Sequence, residues 1–103
     1  MGSSLEDVRA FPSRAKAAVG YQLYKVQQGL EPTDWKSMAS VGPSVREIRI
    51  HAGSEYRVLY IAAVQETVYV LHAFVKKTAK TAKADIELAK RRLASLSQGR
   101  GGS

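Results

Sequence analysis

Between Val45 and Lys77 three runs rich in β-branched and aromatic residues follow one another: VREIRI, then YRVLYIAAV, then VYVLHAFVKK. They are broken by Ala52-Gly53-Ser54-Glu55 and Gln65-Glu66-Thr67, which have turn composition and hairpin length. Such runs with such breaks predict an antiparallel meander. Side chains alternate between the faces of a strand, so Ile48 and Ile50 share one side while Glu47, Arg49 and His51 share the other. One face suits a core and the other a charged working surface. The third run carries its apolar pattern through Tyr69, Leu71, Ala73 and Val75, then ends in Lys76-Lys77. The same alternation puts His72 between Val70 and Phe74, on the face of Lys76.

The flanking segments carry helical signals. Ser4-Leu5-Glu6-Asp7 has the form of a capping box, with Ser4 as N-cap and Asp7 in place of the usual Glu, and predicts a short helix to about Ala10. Phe11-Pro12-Ser13 ends it, and Pro12 or Ser13 opens a second helix. Ala15, Val19, Leu23, Val26 and Leu30 then recur at helical spacing, an apolar stripe that makes this helix the lid over the sheet. Gly29 stands where a left-handed C-terminal residue is expected, and Glu31-Pro32 closes the element. Thr33 to Ser44 has no steady period and reads as an ordered loop that pins Trp35 into the edge of the core. After the sheet, Ile86, Ala89, Leu93 and Leu96 form the stripe of a last helix from about Thr81 to Leu96, with Lys83, Lys90 and Arg91 or Arg92 beyond it. Residues 98–103 read as a flexible tail. The expected fold is α+β: an N-terminal helical pair on an antiparallel sheet of at least three strands, then a C-terminal helix, in one domain over 1–97.

Composition narrows the function. A chain of 103 residues is one domain with a modest core. It has no cysteine and only two histidines, far apart, so no disulfide or metal site is expected, nor any cofactor. No stretch reaches the roughly 18 apolar residues of a membrane span and no signal pattern opens the chain, so a cytoplasmic location is expected. The net charge is +7, and from Lys76 onward eight basic residues face only Asp85 and Glu87. Such a field favours polyanions, nucleic acid before an acidic protein. No glycine-rich nucleotide loop, nucleophile elbow, paired-carboxylate signature or metal motif is present. What stands out is basic residues at corresponding levels of neighbouring strands: Arg46 and Arg49, Arg57, then Lys76 and Lys77. That grouping suits a phosphate backbone. Arg57 shares its side with Leu59 and Ile61, where a charge must be paired or reach a rim. Arg49, beside Glu47 and His51, fits either a cross-strand ion pair or a site, and a strand histidine such as His72 is more often structural.

Several segments together resemble the phage-related, HigB-like branch of the RelE/ParE toxin superfamily: Trp35-Lys36-Ser37-Met38, Val45 to Ile50, Tyr56-Arg57-Val58-Leu59-Tyr60, Val70 to Thr78, and Ile86 to Lys90. The likeness runs from about Leu5 to Leu96. It implies a curved sheet, and a toxin of a type II toxin–antitoxin pair that cuts mRNA in the ribosome and is neutralised by a helix-turn-helix antitoxin. It implies working residues among Arg49, Arg57, Lys76 and Lys77. Family members usually have a first β-strand before the segment matching Gly2 to Pro12, whereas Met1 begins directly at that segment, which leaves three readings: a truncated chain, a misassigned start, or a sheet lacking that strand. Metal-independent RNA cleavage needs the 2′-hydroxyl deprotonated, the phosphate charge stabilised and the leaving 5′-oxygen protonated. Arginine stabilises but does not serve as base, since its pKa exceeds about 12. Arg49 and Arg57 are thus expected as phosphate clamps. Lys76 or Lys77, crowded by other cations, is the candidate acid or base, with Glu47 and His72 as alternatives. Arg46, Lys80 and Lys83 are candidates for holding the RNA backbone. Two other readings stand beside this one: a ParE-like protein that binds a target such as gyrase, and a non-catalytic nucleic-acid or antitoxin-binding module.

Overall fold

The computed structural model describes residues 8–62, 68–77 and 82–101, with the side chains of 62 and 96–101 outside that description. The Ser4 capping box, the Gln65-Glu66-Thr67 turn and Lys80 lie outside the described residues. Val8 and Arg9 are helical. Then come helix α1 (Ser13–Gln27), strands β1 (Trp35–Ser37), β2 (Val45–His51), β3 (Glu55–Ala62) and β4 (Val68–Val75), and helix α2 (Lys83–Gly101). The strands form one antiparallel sheet in chain order. The described residues thus hold one full helix before the sheet, with Val8 and Arg9 alone representing the other member of the expected pair.

The first helix begins where Pro12, at φ −57° and ψ 154°, leaves extended geometry, and Lys16 N–H donates to the Pro12 carbonyl at 2.9 Å. Its end is a Schellman motif. Gly29 takes φ +82°, its N–H bonds the Val26 carbonyl at 3.0 Å, and Leu30 N–H bonds the Lys25 carbonyl at 2.9 Å. Nothing lies within 4 Å of a Cβ added at Gly29, so Gly29→Ala acts only through the left-handed backbone. It should lower stability by about 1–2 kcal/mol in chemical denaturation. Leu30, the last residue of the predicted stripe, lies past the helix and is 58 % exposed. The stripe itself is real: Ala15 and Val19 are buried, with Leu23 and Val26 packed against them.

Each sheet face packs against one helix, the second face only in part. On the first face Ile48, Ile50, Tyr56, Val58, Tyr60, Val70 and Ala73 pack with Phe11, Ala15 and Val19. On the second Val45, Leu59, Leu71 and Phe74 pack with Met38, Val41 and Ala89, flanked by Ile86 and Leu93 of α2. Each large aliphatic buried in this way contributes about 1.5–3 kcal/mol. Gly42 makes room for the second helix, because a Cβ there would stand 2.8 Å from Leu93 Cδ2. No described helix is long and apolar enough to cross a membrane.

Three expectations change. The segment read as a loop contains a strand: Trp35, Lys36 and Ser37 pair with Ile48, Glu47 and Arg46, giving the sheet a fourth member at its edge. A register shift between Leu59 and Tyr60 leaves Leu59 opposite His72 and Tyr60 opposite Val70, so Leu71 is the extra residue of a bulge. A bulge inverts the phase of the alternation, and His72 therefore shares a face with Phe74 but not with Val70. The C-terminal helix continues past Leu96 to Gly101, into the segment read as a tail.

Candidate functional site

The half of the second face that α2 leaves uncovered, at the β2–β3 hairpin, carries a chain of alternating charges. Cross-strand partners share a face, and Arg49 stands directly opposite Arg57. Like charges so placed repel, and the carboxylate between them answers this. Glu47 Oε1 lies 3.7 Å from Arg49 Nε and 3.7 Å from Arg57 Nε. Glu47 is fully buried at 0 % exposure, which a carboxylate tolerates only among opposite charges. The Arg57 side chain is 8 % exposed and its Nη1 donates to Glu55 Oε1 at 3.2 Å and to the Tyr56 carbonyl at 3.1 Å. Arg49 is 33 % exposed and reaches Asp34 Oδ1 at 3.8 Å.

His51 closes the chain. Its Nε2 lies 2.8 Å from Asp34 Oδ2 and its Nδ1 2.8 Å from Glu55 Oε2. A carboxylate at each ring nitrogen favours the imidazolium, and the Asp34 hydrogen bond, followed by that of Glu55, raises the His51 pKa above its usual value. The same bond holds the Glu55 carboxyl below the usual range. With His51 protonated, Asp34, Glu47 and Glu55 balance Arg49, Arg57 and His51, so the cluster is neutral overall. This differs from the unrelieved positive patch that the basic residues alone suggest. The local excess of positive charge comes from the rim. There Lys76, half-buried, donates its backbone N–H to the Glu55 carbonyl at 2.8 Å, and Lys77 is exposed just beyond. Arg49 Nε and Arg57 Nε are buried and make no hydrogen bond among the described residues.

The remaining candidates go elsewhere. His72 is buried at the junction with α2, its Nε2 2.7 Å from Asp85 Oδ1 and its Nδ1 3.4 Å from Arg92 Nη1. Its ring stacks on Phe74 at 4.9 Å between centroids. Arg92, read as one of two residues for the outer helix face, turns inward and donates to the Leu71 carbonyl at 2.9 Å. His72 thus ties helix to sheet. Arg46 occupies the opposite face from Arg49 and Arg57, its guanidinium 4.2 Å from the Trp35 ring centroid. Lys83 is exposed at the start of α2. Among the described residues no group of three or more His, Cys, Asp or Glu is placed to hold a metal.

Sequence reading missed Asp34 and Glu55. Asp34 adjoins β1, and its carbonyl accepts from Arg49 N–H at 2.8 Å. Without the β1–β2 register nothing in the sequence brings it beside Arg49 and His51. Glu55 was read as part of the turn, whereas it joins β3 and faces His51, a register that the turn sets.

Among curated proteins, none matches the chain. A family model does: that of the phage-derived Gp49-like proteins, DUF891, over residues 6–94. That span takes in α1, all four strands and most of α2, so the chain belongs to the Gp49-like family of phage-derived proteins.

Proposed function

We propose that this protein is the toxin of a type II toxin–antitoxin pair, a RelE-related, HigB-like endoribonuclease that cuts mRNA on the ribosome and stops translation. Membership of the Gp49-like family is consistent, at a coarse level, with a toxin–antitoxin-like role. The observation that carries the reading is the facing pair Arg49 and Arg57, set about a buried Glu47 and bordered by Lys76 and Lys77. Arg49, the more exposed of the two, has a planar guanidinium suited to phosphate, and Arg57, ordered behind it, adds fixed positive charge that is already in place when charge builds on the phosphate.

The reaction is an in-line transesterification. A base takes the 2′-hydroxyl proton, the 2′-oxygen bonds to phosphorus, and the P–O5′ bond breaks as the 5′-oxygen takes up a proton. The products are a 2′,3′-cyclic phosphate and a 5′-hydroxyl, and DNA, lacking the 2′-hydroxyl, is not a substrate. Arg49 and Arg57 stabilise the phosphate. Lys76 and Lys77, at the open rim, are better placed for proton transfer than Glu47, which is sealed between the arginines, or His72, which is engaged with Asp85 and Arg92. The antitoxin expected with such a toxin is a helix-turn-helix protein.

The test is growth arrest on induced expression, with transcript ends mapped by primer extension. Arg49→Ala, at the more exposed arginine, and Arg57→Lys, which keeps the charge but loses the fork, should each abolish arrest and cleavage while circular dichroism remains native. Two folded variants with full toxicity would remove the assigned site. Arrest with intact transcripts and DNA damage would point instead to a gyrase-directed protein, and no arrest from soluble wild type to a binding module.

A further inference from the structure

A second feature lies on the other side of the sheet, where β1 meets β2. A concavity of about 380 Å³ is lined by Ser37, Pro43, Ser44, Val45 and Arg46, a size within the range of small-ligand sites. Ser37 and Arg46 are paired across the strands and so share the face opposite Arg49 and Arg57. Pro43 and Ser44 come from the turn joining β1 to β2. That turn is braced by Val41 N–H on the Met38 carbonyl at 3.0 Å and Val45 N–H on the Gly42 carbonyl at 3.2 Å.

Arg46 differs from its two neighbours on the sheet. Arg49 and Arg57 are surrounded by Glu47, Asp34 and Glu55, whereas among the described residues Arg46 has no carboxylate within ion-pair distance. Its guanidinium carbon lies over the indole of Trp35, 4.2 Å from the ring centroid, and Tyr60, its neighbour on β3, is fully buried beside it. An arginine oriented by stacking and left without a counter-ion at the wall of a concave site is prepared for an anion, because the ordering cost is met before the ligand arrives. The hydroxyls of Ser37 and Ser44 supply donors of the kind that complete a phosphate site.

We infer that Ser37, Ser44 and Arg46 form a phosphate-binding subsite at the edge of the sheet, distinct from the Arg49–Arg57 cluster, which takes the phosphate of a nucleotide unit. The inference rests on the nucleic-acid reading for its ligand class but not for its geometry. The phosphate belongs either to a free mononucleotide or to a nucleic-acid strand that wraps the sheet edge.

Trp35 is the sole tryptophan, so its fluorescence reports directly on Arg46. The full chain is titrated with inorganic phosphate, adenosine monophosphate and a short 2′-deoxyoligonucleotide that cannot be cleaved by 2′-hydroxyl attack. A saturable change with the small ligands identifies a free-nucleotide site, and one confined to the oligonucleotide identifies a strand subsite. In either case Arg46→Ala should weaken the response by at least about tenfold, and Ser44→Ala by a smaller factor. Arg46→Lys, which keeps the charge and loses the planar fork, should fall between. The absence of any saturable change in folded wild-type protein, or an unaltered response in Arg46→Ala, overturns the subsite. The outcome is separable from that of the endonuclease reading. Arg49→Ala losing toxicity while the Arg46 titration is flat leaves the nuclease and removes the subsite. An Arg46-dependent response with toxicity intact in Arg49→Ala and Arg57→Lys does the reverse.

Discussion

Glu47→Ala should cost about 3–5 kcal/mol of unfolding free energy in urea or guanidinium titration, among the largest effects of any single substitution in this chain. The reason is not the loss of a favourable contact alone. Glu47 is wholly buried between Arg49 and Arg57, which stand directly opposite each other. Removing the carboxylate leaves two facing guanidinium groups, one of them almost fully buried, with Asp34 and Glu55 as their remaining counter-charges. An isosteric apolar replacement of the whole trio, Glu47→Leu with Arg49→Met and Arg57→Met, should recover most of that stability, since burying three charges is itself unfavourable. If the trio variant is as stable as wild type yet inert in the growth assay, the charges are retained for function. A loss below about 1 kcal/mol for Glu47→Ala alone would mean that the arginines do not depend on it.

His72→Ala should destabilise by about 2–4 kcal/mol and do so locally, by loosening α2 from β4. The substitution removes a charge-assisted hydrogen bond to Asp85, the contact with Arg92 Nη1 and the stack on Phe74. Asp85 and Arg92 are spaced two helical turns apart on α2, so one imidazole holds both turns to the sheet. Hydrogen exchange should therefore quicken in α2 while β2 and β3 keep their protection. A double-mutant cycle with Asp85→Ala isolates the pair: a coupling of at least about 1 kcal/mol is expected, and additive losses would show that His72 acts by packing alone. The toxin reading gives a second readout. If His72 is a tether, His72→Gln folded at low temperature stays toxic, whereas loss of toxicity without loss of stability would return it to the reacting group.

The periodicities named most elements because each rests on local chemistry. Gly29 declared the end of α1 since few other residues take a left-handed backbone without strain, and it does so at φ +82°. Ala15, Val19, Ile86, Ala89 and Leu93 declared which helix faces would be covered. The break at Ala52-Gly53-Ser54-Glu55 declared a hairpin, though not that Glu55 would itself join β3 and face His51. The family likeness pointed at Arg49 and Arg57, and the fold does bring those two together. Three residues of β1 were too few to show a period, and a bulge inserts one residue without marking it in composition, so the fourth strand and the true side of His72 stayed hidden.

What the sequence determined by itself is most of the helix and strand segments and which side chains carry charge, because backbone preference and side-chain alternation are properties of near neighbours. Only the tertiary structure decided that Glu47 is sealed between two arginines, that Asp34 reaches His51 from beside β1, and that Arg46 stacks on Trp35. Those outcomes depend on strand register and on where the chain inserts an extra residue. A single step of register moves a charge from one face of the sheet to the other.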